Sequence, residues 1–290
     1  MNDAAEEALR LCLSGRLSPE VALARLVLAG LSPANIEASV AALPGGCGRA
    51  LARLHREHRG GLDALRAMLA ESGLDHAAAT AEAPEAAVAR VAAAFDRAVA
   101  VAPEASVAAY SLNDPAVLAA ATAEIVDWLA AEALIGPDRD VLDLGCGTGR
   151  VAAALAPRCR SVLGLDASPG MVAEARRRHG GAANLRFETT PGTDLSALAA
   201  ASFDLLLAVD SFPYLVQAGG AVADRHLVGA ARALRRGGAF AILNLSYRGD
   251  PEADRADTAR WAAAGGWTVA ADGAAPFALW DGAAFLLRRP

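Results

Sequence analysis

The sequence predicts an α/β domain with a doubly wound, mostly parallel, seven-stranded sheet in its second half, preceded by an all-α region. Three observations carry this. Short apolar runs alternate with helical patterns from about residue 138 onward, which is the signature of βαβ crossovers. One such run, Val141-Leu142-Asp143-Leu144, ends in a glycine-rich turn that opens a helix. Before Gly136-Pro137 the chain reads as helices and connectors only.

Taken in order, Ser18-Pro19 and Ser32-Pro33 each place a capping residue before a proline at the first helical position. Gly15 and Gly30 stand where the preceding helices should stop. A further helix runs from about Arg49, breaks near Gly60-Gly61 and resumes to Leu69. Residues 77–84 are low-complexity and read as a linker. A helix follows from Pro84 to Val101, and another from about Pro115 to Leu134 with Leu118, Ile125, Trp128 and Leu129 near one stripe. Strands are expected at 140–144, 161–166, 184–188, 203–209 and 238–245, with helices at 149–156, 169–179, 221–235 and 252–264. The stretch from Trp267 to Arg289 reads as a final antiparallel hairpin on the sheet edge. The expected domains are 1–83, all-α, and 84–290, with 84–135 as a helical cap.

Composition narrows the chemistry. All 27 basic residues are arginine, so Schiff-base nucleophiles, a pyridoxal-phosphate anchor, a P-loop lysine and a kinase strand lysine are excluded. Net charge is −6 and neither half is basic, which argues against a nucleic-acid partner. The four cysteines form no CxxC pair, the N-terminus turns acidic at Glu6-Glu7, and no apolar run approaches the ~18 residues of a membrane span. A cytoplasmic protein without membrane association is expected.

The chemistry concentrates at Asp143-Leu144-Gly145-Cys146-Gly147-Thr148-Gly149. A dinucleotide site needs G-x-G-x-x-G, but position 150 is Arg and the spacing is G-x-G-x-G. An acidic residue just before the turn would repel a pyrophosphate, yet it suits a ligand carrying an ammonium group.

This segment resembles motif I of class I S-adenosylmethionine (SAM)-dependent methyltransferases, and the resemblance extends over residues 136–290. It implies a Rossmann-like methyltransferase fold from about residue 110, SAM as cofactor, and SAM contacts from Asp143, Gly145, Cys146, Gly147 and Gly149. Asp166, at the end of the second strand, resembles the family's acidic residue that accepts the ribose hydroxyls. Ala167 and Met171 follow, with Met171 an expected wall for the adenine. Asp194-Leu195 resembles the pair that binds the adenine amino group and stacks beside it, although the loop departs from the usual Gly-Asp ending. Tyr110, ahead of the pre-sheet helix, is a candidate to fold over the cofactor.

Methyl transfer asks the protein for positioning and, with some acceptors, for a base. Asp210, Tyr214 and His226, near the exit of the fourth strand, are the catalytic candidates, with Asp210 also a candidate cofactor contact. For each, a packing or capping role stays open. Ser211-Phe212-Pro213-Tyr214 resembles the Asn/Asp-Pro-Pro-Tyr motif of amino methyltransferases acting on nucleic-acid bases, but two of four positions depart from it. Asn244, Ser246, Tyr247 and Arg248 form a polar cluster that either lines a substrate pocket or caps a loop. His55 and His58 lack a ligand set, so no metal is expected.

The function these residues imply is methyl transfer from SAM to a small-molecule acceptor by in-line displacement, with helices 84–134 roofing the crevice beyond the strand ends. Two alternatives stay open: a SAM-binding regulatory or assembly protein without turnover, and a protein methyltransferase. A homodimer through the N-terminal helices is a further expectation.

Overall fold

The structure is a computed structural model; it describes residues 2–74 and 82–290, apart from the Cys47 side chain, so most of the expected linker 77–84 lies outside the described residues. The chain divides into two compact units, one helical (1–73, 97–124 and 277–281) and one α/β (74–96, 125–276 and 282–290). The contact boundaries fall after Gly73 and inside two helices, after Asp96 and after Glu124.

The helical unit begins with α1 (Asp3–Leu13), α2 (Pro19–Leu28) and α3 (Pro33–Ala41). Asn2, Ser18 and Ser32 cap them by accepting from the amide three residues on, and Gly15 and Gly30 take positive φ after α1 and α2. The next pair, α4 (Gly45–Glu57) and α5 (Arg59–Ser72), breaks at His58 and not at the glycines. Gly61 instead serves close approach, because a Cβ there would lie 1.7 Å from the Leu112 carbonyl oxygen. Leu23, Leu26, Ile36, Leu51, Leu62 and Leu65 are fully buried in this unit.

Helix α6 (Pro84–Val101) contributes residues 84–96 to the α/β unit; α7 (Pro103–Val107) and α8 (Pro115–Ala131) follow. Ala133, at φ 55, ends the α8 region earlier than expected. Residues 277–281 join the helical unit: Ser18 Oγ donates to the Leu279 carbonyl at 2.9 Å, and the Glu124 carboxylate accepts from the Ala278 and Leu279 amides. Among the described residues no helix is long and apolar enough to cross a membrane.

The α/β unit is a seven-stranded sheet built from β1 (Asp140–Leu144), β2 (Ser161–Asp166), β3 (Leu185–Thr189), β4 (Phe203–Val209), β5 (Leu234–Leu243), β6 (Thr268–Ala274) and β7 (Ala284–Arg288). The order is β3-β2-β1-β4-β5-β7-β6. The first five are parallel, and β7 pairs antiparallel with both β5 and β6. Between them run α9 (Arg150–Leu155), α10 (Pro169–His179), α11 (Phe212–Gln217), α12 (Gly220–Ala233) and α13 (Pro251–Gly265). Leu142 pairs in register with Leu163 on one side and Leu206 on the other, which is why these strands read as nearly unbroken apolar runs. Phe212, Phe240 and Phe285 are the largest fully buried side chains here.

Both ends of β5 differ from expectation. Residues 234–235 belong to β5, not to the preceding helix, and β5 ends at Leu243 because Asn244 turns left-handed at φ 67. Strand order reverses between β1 and β4, and such a switch point opens a crevice beyond the strand C-termini.

Candidate active site

The crevice is built from the turn after β1. Gly145 and Cys146 both donate their amides to the Leu165 carbonyl, at 2.7 and 2.9 Å, which ties the turn to β2. Gly145 and Gly149 have φ of 69° and 80°. A Cβ on Gly145 would stand 2.2 Å from Ser211 Cβ, and one on Gly149 would stand 2.6 Å from the Phe187 ring, so conformation and space both require glycine.

At the end of β2, Asp166 holds the turn. Its Oδ2 accepts from the Gly147 amide at 2.8 Å and its Oδ1 from the Ser168 amide at 2.9 Å. Each oxygen keeps a second lone pair for a further donor. Burial pushes this carboxyl up to about 6, against the lowering pull of the amides. Asp143 is 2% exposed, and burial pushes it up to about 7, partly offset by Arg150. Its Oδ2 has no hydrogen-bond partner among the described residues. A buried carboxylate oxygen left so is costly unless a cation meets it. Burial also raises the Cys146 thiol, with both carboxylates adding to the effect, so this cysteine stays protonated.

Asp96, on α6, was not anticipated. Its Oδ1 accepts from Ser168 Oγ at 2.5 Å and the Gly170 amide at 2.7 Å, so it caps α10 together with Ser168. The Phe95-Asp96 pair interrupting an alanine-rich helix was the available signal. On the same helix, Ala87 and Val88 pack with Ala218 and Val222, and Phe95 meets the Tyr214 ring edge-on at 5.0 Å. Residues 84–96 therefore touch the elements that follow both β2 and β4.

The other expected contacts fall in different places. Ala167 is half-buried beside Gly192 and Val88, whereas Met171 is buried at the start of α10. The Asp194 carboxylate caps its own turn by accepting from the Ser196 amide at 2.8 Å, and Leu195 is buried against Gly229 of α12. Tyr110 belongs to the helical unit, where its ring lies 6.0 Å from that of Trp280.

Of the catalytic candidates, Asp210 and Tyr214 come together at the exit of β4. Asp210 sits at φ 54 and its Oδ1 accepts from Asn244 Nδ2 at 2.6 Å and Tyr247 Oη at 3.2 Å. Tyr214 and Tyr247 pack ring edge to face at 5.7 Å, and burial, with Asp210 second, raises the Tyr214 hydroxyl so that it stays protonated. His226 stands apart, fully buried in α12 with its Nδ1 donating to the Val222 carbonyl at 2.8 Å. Burial lowers its pKa, and the charged side chains beside it are Asp194 and Arg225. The polar cluster after β5 splits in two: Asn244 and Tyr247 join Asp210, whereas Ser246 and Arg248 are tied to Asp254. Among the described residues no group of three or more His, Cys, Asp or Glu is placed to hold a metal ion.

The donors fit SAM. The unpartnered Asp143 oxygen suits an ammonium, the spare lone pairs of Asp166 suit vicinal hydroxyls, and the glycine turn admits close approach of a ligand to backbone. Residues 142–242 match the family model described as a methyltransferase domain. A 64-residue stretch, 21% of this chain and 24% of the relative, is 50% identical to a trans-aconitate 2-methyltransferase of Methylobacterium nodulans. Another, 137 residues long and covering 46% of this chain and 44% of the relative, is 31% identical to an S-adenosyl-L-methionine-dependent Diels-Alderase of Talaromyces variabilis. The magnesium protoporphyrin IX methyltransferase of Synechocystis, solved with bound SAM, is 22% identical over 60% of this chain and 81% of its own, with a TM-score of 0.45. The chain spans about a quarter of the length of the first curated relatives it matches, 24% and 27%. From the glycine turn to β5, then, residues 142–242 match a methyltransferase domain, and the carboxylates at the turn fit S-adenosylmethionine.

Proposed function

We propose that the protein transfers the SAM methyl group to a small-molecule acceptor. The observation that carries this is the buried Asp143 carboxylate oxygen, unpartnered at the glycine turn where strand order reverses. SAM, when bound, supplies a methyl group on a sulfonium centre, open to in-line displacement.

The chain's residues then have separable tasks. Asp143 meets the ammonium, and Asp166 accepts hydroxyl donors while holding Gly147 in place. Ser211 Oγ donates to the Leu144 carbonyl at 2.5 Å and so locks the end of β1 to the start of α11, which carries Tyr214. Asp210, held by Asn244 and Tyr247, stands ready to accept a proton from the acceptor. Residues 84–96, which touch the elements after β2 and β4, keep out water and large acceptors. The trans-aconitate methyltransferase relative, whose name specifies a small acceptor, supports the same reading.

The experiment is SAM binding by calorimetry, followed by transfer of radiolabelled methyl into a small-molecule metabolite fraction. Binding together with labelled small products is expected. Wild type that binds no SAM sinks the reading, and label found only in protein assigns the acceptor to a polypeptide.

A further inference from the structure

The exit of β4 carries more information than a place for a base. Asp210 and Asn244 end adjacent parallel strands, and both lie in the left-handed region, at φ 54 and 67. Such conformations are costly for residues with a side chain, and they persist where the surroundings enforce them. Here they are enforced from both sides: the Asp210 amide donates to the Leu243 carbonyl at 2.9 Å, and Asn244 pairs through its backbone and side chain with Ala283. The outcome is a carboxylate aimed in a fixed direction, with Asn244 Nδ2 and Tyr247 Oη both on its Oδ1. Around it stand three aromatic rings in a row, Phe95 on Tyr214 at 5.0 Å and Tyr214 on Tyr247 at 5.7 Å, each pair edge to face. Phe95, Tyr214, Tyr247 and Asp210 are all half-buried, so the group is sheltered without being sealed in the core.

We propose that this carboxylate with its row of rings is the acceptor subsite, and that the acceptor is an amine, bound as its ammonium. An ammonium gains from a fixed carboxylate and from the negative faces of aromatic rings together. A carboxylic acid would meet Asp210 as a like charge, and Arg248, the arginine nearest in sequence to Tyr247, is engaged by Asp254 and Asp257. The inference rests on the methyltransferase reading above and adds the substrate class. The bound ammonium gives one proton to Asp210, and the nitrogen lone pair takes the methyl carbon as the carbon–sulfur bond breaks toward sulfur. The product leaves as a methylated ammonium while Asp210 returns its proton to water.

The test uses the full-length protein saturated with S-adenosylhomocysteine and three probes, phenethylamine, 2-phenylethanol and trans-aconitate, each titrated by calorimetry at pH 7.5. Phenethylamine is expected to bind at least tenfold tighter than the alcohol and the acid. Asp210→Asn, which keeps a residue type tolerant of positive φ, is expected to abolish that preference while S-adenosylhomocysteine still binds. Equal or tighter binding of the alcohol or of trans-aconitate, binding of none of the three, or an unchanged preference in Asp210→Asn would each overturn the amine assignment. Failure to bind S-adenosylhomocysteine overturns the methyltransferase reading itself, and this inference with it.

Discussion

The carboxylate of Asp166 accepts the Gly147 amide at 2.8 Å, so the residue at the end of β2 also sets the conformation of the turn that follows β1. One side chain thereby links two strand ends and presents its remaining lone pairs to the crevice. Asp166→Ala removes both roles. SAM affinity should fall at least tenfold, about 1.4 kcal/mol, by calorimetry. A wild-type affinity would remove Asp166 from the cofactor site.

Asp143 and Asp166 set a pH dependence of definite sign. Both carboxyls are pushed above the ordinary range, to about 7 and about 6, mainly by burial. The folded protein therefore holds protons that the unfolded chain has released between about pH 4 and 7. Ligand-free stability should fall as pH rises through that window, by up to about 4 kcal/mol for Asp143 alone, at about 1.4 kcal/mol per pH unit. Thermal melts from pH 4.5 to 7.5 measure this, and Asp143→Asn should flatten the slope.

Cofactor binding should run the other way. A cationic ammonium needs Asp143 ionised, so SAM affinity should rise from pH 5.5 to 7.5 with release of a proton. Calorimetry in two buffers of different ionisation enthalpy counts that proton, and a pH-independent affinity would refute the pairing.

Gly149→Ala combines a φ of 80° with a Cβ 2.6 Å from the Phe187 ring. Strain and overpacking together should cost about 2 kcal/mol or more, read as a lower denaturant midpoint. In a Phe187→Leu background the added cost of the alanine should shrink but not vanish, because the smaller side chain relieves the contact and leaves the φ.

At the opposite end of the sheet, Asp140 accepts from Arg160, from Ser161 Oγ at 2.7 Å and from Arg235 at 2.9 Å. Arg160, the leading cause, lowers its carboxyl well below the usual range. A depressed carboxyl contributes stability above its unfolded pKa, and that stability is lost as the pH falls below about 4. Asp140→Asn should cost about 1 kcal/mol at pH 7, a value kept small because Arg160 is half-exposed, and the gap to wild type should narrow steadily as the pH falls below about 4 in urea melts.

Much of the α/β unit was legible in residue order. A buried strand cannot hide its apolar run, and a glycine turn at a switch point cannot be replaced by other residues, so β1, β2, β4 and the 145–149 turn stood out against an alanine-rich background. The helical region was harder to read. Gly60-Gly61 looked like a break, but Gly61 lies inside α5, and its reason is the Leu112 carbonyl far along the chain. Phe95 and Asp96 showed in the sequence only as an interruption of an alanine-rich helix, for the same reason: their partners, Ser168, Gly170 and Tyr214, are distant in sequence.

What the sequence alone determined is therefore the local part: strand and helix periods, the caps at Ser18 and Ser32, and the carboxylates at the ends of β1 and β2. What only the tertiary structure decided is which polar side chains share a site. Tyr214 and Tyr247 gather at Asp210, whereas His226, nearer to it in sequence than Tyr247, is buried in α12. Periodicity reports which face of an element is apolar, but the direction of one polar side chain depends on backbone turns such as Asp210 at φ 54, and on neighbours that long-range packing brings within reach.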